Sequence, residues 1–232
     1  MRFTFSSIAL LLLLMETHAI TALAQEGQKA EEILLAARMS PTARPASLRA
    51  QIRGDEKPTL LRIGLKDHVI TYEFKEPEQI LLLKLEPGNT RLLEKKNGVS
   101  QTISGSHLND VIRDTGVTYQ DLSLGFLYWP RPVLQGEDTI KTRPAWKIDL
   151  QAPPGEEAYG VARVWIDKDS GAILRIEGYD KKGLLLRRFE IVSAQKIDGL
   201  WMLKQMRIES FNPGNPDPVT RRYLEVLGKE HR

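Results

Sequence analysis

Short segments of alternating apolar and polar residues, separated by tight polar turns, recur through most of this 232-residue chain. Leu48, Ala50 and Ile52, for example, alternate with arginine and glutamine. A period of two is typical of a β-strand that buries one face. Turns such as Asn97-Gly98 leave no room for crossover helices, so consecutive strands must pair antiparallel. The sequence therefore predicts an antiparallel meander rather than alternating βαβ units.

The predicted strands form two groups separated by a stretch without this alternation. We expect strands at 48–53, 60–65, 69–74, 79–85, 90–95, 141–150, 160–166, 172–179, 184–192, 201–209 and 219–227. The stretch between the groups is expected to contain short helices at 106–113 and 118–127 and a loop at 131–139. Thr118 and Asp121 have the spacing of a capping-box-like helix start.

The N-terminal region differs from the rest of the chain. A basic residue, an apolar run over 8–15 and the ending Ala22-Leu23-Ala24 are the three parts of a secretory signal peptide. We predict that residues 1–24 form this peptide, that cleavage occurs near Ala24, and that residues 25–232 form a single periplasmic domain. That domain is expected to open with one amphipathic helix over 25–38, ended by Ser40-Pro41.

The composition excludes several chemistries. The chain has no cysteine, which rules out disulfides, zinc–cysteine sites, iron–sulfur clusters, a thiol nucleophile and a lipidated N-terminal cysteine. A net charge of +3 is too small to indicate nucleic-acid binding. With 41% hydrophobic residues the chain resembles a globular protein, and we expect a freely moving monomer.

Few residues suggest catalysis. His68, His107 and His231 form none of the paired spacings that bind metals, so we predict no metal, no cofactor and no enzymatic activity. A hydrolase acting through Ser104 or Ser106 is an alternative, although neither serine lies in a Gly-x-Ser-x-Gly elbow.

Several predicted strands are apolar on both faces. Residues 81–83, 164–166 and 184–186 are continuous apolar runs, or nearly so. A single sheet with two apolar faces must be covered by helices or must curl around a cavity. Because few helices are predicted, an apolar cavity for a lipid or an acyl chain is expected.

Several short motifs resemble one known family in their order and spacing. Tyr119–Ser123, Val164–Asp167, Ile176–Asp180 and Asp198–Met202 are similar to segments of the LolA-like outer-membrane lipoprotein-sorting family. The similarity covers about residues 27–227. It implies an α+β, mainly β fold: one strongly curved antiparallel sheet, or incomplete β-barrel, with a few helices lidding the concave face.

The resemblance also implies a function. Relatives carry lipoprotein acyl chains across the periplasm, sense lipoproteins as regulators, or are encoded with membrane lipid exporters. We therefore expect a non-enzymatic carrier or chaperone that binds lipoprotein or lipid acyl chains for transfer towards the outer membrane. The alternative is a sensor module of the same fold that binds lipoprotein or an inner-membrane partner such as a lipid exporter.

The expected site combines cavity residues with a movable lid. Lid residues should come from 108–113, from 122–129 and from the N-terminal helix. Arg163, Arg175, Arg187 and Arg207 lie on strands and face either the cavity mouth or the solvated convex face. The expected ligand-binding residues are Leu81, Leu83, Leu122, Phe126, Tyr128, Trp129, Trp146, Trp165, Trp201 and Met206.

Overall fold

Thirteen antiparallel strands form one sheet in the computed structural model, which describes residues 26–38, 45–55, 57–86, 88–154 and 159–230. The predicted signal peptide lies outside these residues. The strands are β1 (Ala46–Arg53), β2 (Thr59–Lys66), β3 (Val69–Phe74), β4 (Gln79–Glu86), β5 (Asn89–Lys96), β6 (Val99–Thr102), β7 (Val133–Ile140), β8 (Arg143–Gln151), β9 (Val161–Asp167), β10 (Ile173–Tyr179), β11 (Leu185–Ile197), β12 (Leu200–Phe211) and β13 (Pro218–Lys229).

The helical elements are short and lie where the alternation fails. Helix α1 covers 26–38, and helix α2 covers Tyr119–Ser123 between 3₁₀ turns at Gly105–Asn109 and Gly125–Tyr128. The Thr118 side chain accepts from the Asp121 backbone N–H while the Asp121 carboxylate accepts from the Thr118 N–H. This reciprocal pair is the predicted capping box.

The strand order shows how the sheet is assembled. It runs β6-β5-β4-β3-β2-β1-β13-β12-β11-β10-β9-β8-β7, so the first strand pairs with the last and two meanders join at the centre. β6 and β7 form the two open edges of the sheet. The predicted fold class, one unclosed antiparallel sheet with few helices, is confirmed.

The segment between the two edge strands covers one face of this sheet. β6 and β7 are consecutive in sequence yet lie at opposite edges, so residues 103–132, here called the strap, must cross from one edge to the other. Buried strap residues such as Ile112, Leu122 and Phe126 join one apolar cluster with α1 and with strands from both meanders. The face under α1 and the strap is the concave face.

The edge strand β7 corrects one prediction. Residues 131–139 were expected to form a loop, but 133–140 pair with β8. A register shift occurs between Leu134 and Gly136, and Gly136 has a φ of 106°. An edge strand has only one partner and its side chains here are mostly exposed, so it lacks the apolar alternation that marks a buried strand.

The convex face is covered by arginines rather than by helices. Arg163 donates to Asp149 at 2.6 Å, Arg188 to Glu177 at 2.7 Å and Arg221 to Glu209 at 2.8 Å, linking β8 through β13 in neighbouring pairs. The three carboxylates are buried. Each buried carboxylate is paired and hydrogen-bonded, which offsets part of its desolvation cost, while the arginine stems cover apolar surface.

Candidate functional site

The strap meets the concave face at an aromatic contact. The Phe126 ring stacks on Phe189 of β11 with centroids 6.5 Å apart, and it meets Tyr159 edge-on at 6.5 Å. Leu81 and Leu83 of β4 are fully buried in the same apolar cluster. The strap thus packs its apolar side chains onto the concave face of the sheet.

Eight of the ten expected site residues lie on this side of the sheet. Leu81, Leu83, Leu122, Phe126 and Trp129 belong to the apolar cluster, and half-buried Tyr128 and Met206 pack against it. Trp146 shares its face of β8 with Ile148, and the ammonium groups of Lys29 and Lys168 lie 4.2 and 4.1 Å from its ring centroid. The structure therefore brings most of the expected cavity and lid residues together.

Trp165 and Trp201 lie elsewhere. Trp165 packs in a separate cluster with Ile140 and Ala145, and its indole N–H donates to Asp138 at 2.9 Å. Its neighbour Val164 lies in the concave cluster, so strand alternation puts Trp165 on the convex face. Trp201 is 71% exposed. For these two residues the expected cavity position is not what the structure shows.

A buried ion pair ties the strap to β11. Arg187 Nη2 lies 2.8 Å from Asp121 Oδ2, and its Nε donates to Asp121 Oδ1 at 3.2 Å. The Asp121 side chain is 1% exposed, and Tyr159 also donates to it at 3.4 Å. Burial raises the pKa of the Asp121 carboxyl, and the charge of Arg187 with the Thr118 hydrogen bonds opposes that rise.

The four strand arginines divide between the two faces. Arg163, Arg175 and Arg207 pair with Asp149 or Glu190 on the convex face. Arg187 has the same parity as Phe189 on β11 and faces the concave side. Arg187 lies two residues before the apolar Phe189 on the same strand, and this spacing is the sequence signal that could have placed Arg187 on the concave face, apart from the other three arginines.

A second tie joins α1 to the strap. Arg38 Nε donates to the Leu127 carbonyl at 2.8 Å, its Nη1 pairs with Glu31 at 2.7 Å, and its guanidinium lies 4.7 Å from the Tyr128 ring centroid. Arg38 is buried, although its residue type is usually exposed. The two covering segments are therefore linked to each other as well as to the sheet.

An open cleft of about 400 Å³ lies where the strap leaves the edge of the sheet. Two of its lining residues are joined by a hydrogen bond, in which the Thr90 hydroxyl of β5 donates to the Ser123 carbonyl of the strap at 2.9 Å. The wall of the cleft combines hydroxyl and amide groups with apolar and aromatic side chains, and it includes Leu92, Ile103, Ser104, Leu108, Tyr128 and Trp129. Two expected site residues, Tyr128 and Trp129, thus line an opening beside the strap.

The described residues hold no cluster of histidine, aspartate or glutamate suited to a metal ion. His107 is exposed, and its Nδ1 lies 3.1 Å from Asp110 Oδ2. Ser104 lines the cleft. Over the same described ranges, no helix is long and apolar enough to cross a membrane.

Comparison with known proteins identifies the family and the fold. A family model described as "uncharacterized protein"-like matches residues 94–216, just over half of the chain. The chain belongs to this family. No curated protein matches.

Three solved structures share the architecture. An outer membrane lipoprotein-sorting protein domain from Vibrio parahaemolyticus is 17% identical with a TM-score of 0.69, covering 87% of this chain and 91% of the other. A DUF1329 family protein from Desulfovibrio piger is 19% identical with a TM-score of 0.60 over 87% and 91%. A LolA superfamily protein from Nitrosomonas europaea is 18% identical with a TM-score of 0.59 over 88% and 93%.

These likenesses extend over nearly the whole described chain and show that its fold is LolA-like. In this LolA-like fold the apolar concave face, the strap with its polar ties and the cleft beside it form the candidate site. Phe126, Asp121 and Arg187 mark its centre, where the strap and the sheet are held together.

Proposed function

We propose that this protein is a non-enzymatic periplasmic carrier that binds acyl chains of lipoproteins or lipids on its concave face, beneath α1 and the strap. The observation that carries the proposal is a continuous apolar face covered by two segments that lie outside the sheet and are fastened at a few polar contacts. The relatives with this fold include a domain described as an outer membrane lipoprotein-sorting protein.

Opening the strap would expose the surface that an acyl chain needs. Phe126, Leu122 and Trp129 would leave Leu81, Leu83 and their neighbours free for the chain. Each buried methylene contributes about 0.8 kcal/mol, so a partly buried acyl chain would replace the apolar contacts that the strap gives up. The cleft beside Tyr128 and Trp129 is where such a chain would enter.

The proposed location follows from the N-terminal sequence. Residues 1–24 have the pattern of a secretory signal peptide, and the single domain over 25–232 would then act in the periplasm. A carrier there would meet its lipoprotein or lipid donor and an inner-membrane transporter only transiently. A sensor of the same fold would instead hold a stable inner-membrane partner.

A disulfide lock can test whether the strap must move. A Cβ atom added at Gly125 would lie 3.7 Å from the Thr90 hydroxyl oxygen, which is within reach of a disulfide after small adjustments. Because the chain has no other cysteine, Thr90→Cys with Gly125→Cys forms a unique pair. We expect the oxidised protein to lose uptake of a fluorescent fatty acid and the reduced protein to regain it.

Two measurements complete this test. The single variants Thr90→Cys and Gly125→Cys should take up the probe with or without oxidant, because neither can lock the strap. Mass spectrometry of organic extracts of the purified mature chain should find co-purifying lipid. Unchanged uptake by the fully oxidised double variant, together with lipid-free extracts, would overturn the proposal.

A further inference from the structure

The hairpin between β11 and β12 extends beyond the sheet that supports it. β11 pairs with β10 only up to Glu190, and β12 pairs with β13 only from Gln205 onward. Residues 191–204, here called the hairpin arm, therefore pair within the arm across contacts such as Lys196↔Trp201 and Ile197↔Leu200. The arm therefore lies outside the strand pairing of the main sheet.

One part of the arm packs on the core and another part is exposed. Ile197, Met202 and Leu203 pack against the concave apolar cluster, which fixes the position of the arm. Trp201 does not belong to that cluster and is 71% exposed, the largest exposed fraction among the large apolar residues of the described chain. The Lys196 ammonium lies 5.2 Å from its ring centroid. A single exposed indole is ordinary on a protein surface, so an external contact is indicated only where further exposed apolar and basic residues surround it.

The end of β13 adds to the same surface. Lys229 pairs with Asp198 in the turn of the arm, which places the end of β13 beside the arm. Leu227, two residues earlier on β13 and next to a register shift between β13 and β1, is 49% exposed. The surface defined by Trp201, Leu227, Lys196, Lys204 and Lys229 is called the arm tip. Asp198 is the one acidic residue of the sequence between 191 and 204.

We propose that the arm tip docks on the interface of a bilayer that contains anionic phospholipid. Indole and lysine are the side chains that suit this environment, since the indole sits among the headgroups while lysine stems extend their charges to the lipid phosphates. The three lysines of the arm tip complement the negative charge of an anionic lipid surface. The two exposed apolar residues are too few for a stable dimer interface, which needs about 800 Å² from each partner.

This inference is separate from acyl-chain binding, because the arm tip lies outside the concave cluster. Docking of the arm tip would bring the cleft to a membrane without requiring the strap to open. The test uses co-sedimentation of the mature chain with vesicles of phosphatidylglycerol and phosphatidylcholine, with pure phosphatidylcholine vesicles for comparison. We expect binding to the anionic vesicles, and binding about fivefold weaker for each lysine changed to glutamine.

Trp201→Ser should lower the vesicle partition coefficient about tenfold. Val99→Ser is the matched control, because Val99 is 69% exposed on the edge strand β6. It should bind vesicles like the wild type. Any of three results would overturn the proposal. They are equal vesicle binding by Trp201→Ser and the wild type, equal losses of binding in Trp201→Ser and Val99→Ser, and a change in the molar mass of Trp201→Ser measured by light scattering.

Fatty-acid uptake in vesicle-free buffer separates this proposal from the previous one. Wild type and Trp201→Ser should take up the probe equally. Absence of uptake in both proteins would count against the carrier function alone, whereas vesicle sedimentation decides membrane docking by itself.

Discussion

Arg187 crosses from β11 to Asp121 of the strap, 66 positions away in sequence, and the two form a buried ion pair at 2.8 Å. The next residue, Arg188, faces the other side of the sheet and pairs with Glu177. Adjacent arginines on one strand therefore serve two purposes. Arg187 ties the strap to the sheet, and Arg188 belongs to the convex network.

Replacing Arg187 should loosen the strap. Arg187→Gln leaves the Asp121 carboxylate buried without its cation, and removing one partner of a buried pair costs about 3–5 kcal/mol. Urea unfolding should show this loss in the free energy of unfolding. Arg91→Gln, which removes an exposed ion pair with Glu86, is the matched control and should leave the free energy of unfolding nearly unchanged. Equal losses would contradict the assigned role of Arg187.

Removing the Arg38 side chain should release α1 from the strap. Arg38→Ala deletes the hydrogen bond to the Leu127 carbonyl, and a bond from a charged donor contributes about 1.5–3 kcal/mol. Hydrogen exchange of the amides in 26–38 should accelerate by at least about tenfold. Gln28→Ala, which removes an exposed contact to Glu32, should leave the exchange unchanged.

Gly178 should not tolerate a methyl group. A Cβ atom there would lie 2.6 Å from the Tyr159 ring, which is buried against Phe126. Gly178→Ala should cost about 1–3 kcal/mol through displacement of that ring. Gly64→Ala on β2 would meet its nearest atom at 3.4 Å and should change the free energy of unfolding by about 0.5 kcal/mol or less. A harmless Gly178→Ala would show that the ring can move freely.

Stability should fall in acid partly through Glu225. Burial alone would raise the pKa of the Glu225 carboxyl, but hydrogen bonds from Gln51, Arg53 and Gln205 hold that pKa below its ordinary value of 4.5. The stabilisation is present above pH 4.5 and is lost as the pH falls through the lowered folded-state pKa. Thermal unfolding between pH 6 and 3 should therefore be less pH-dependent for Glu225→Gln.

A variant at an exposed acid is the control for this pH series. Glu26→Gln on α1 removes the same charge without touching Glu225, so its profile should follow the wild type. Identical slopes for Glu225→Gln and the wild type would show that this carboxyl does not contribute to acid unfolding.

Local patterns predicted the local structure well. The turn at Asn97-Gly98, the capping box from Thr118 to Asp121 and most strands followed from short-range chemistry. These short-range patterns did not predict on which face of the sheet Trp165 lies. Trp165 lies in an apolar run, so both parities were acceptable, and only its packing against Ile140 and Ala145 set its side.

What the sequence determined by itself was the class of fold, because period-two segments joined by tight turns admit little other than an antiparallel meander. The tertiary structure decided three further features: the pairing of β1 with β13, the path of the strap and the arginine cover of the convex face. Each depends on contacts between residues far apart in the chain. Such contacts form only when the curved sheet brings these residues together, so a local sequence pattern cannot predict them.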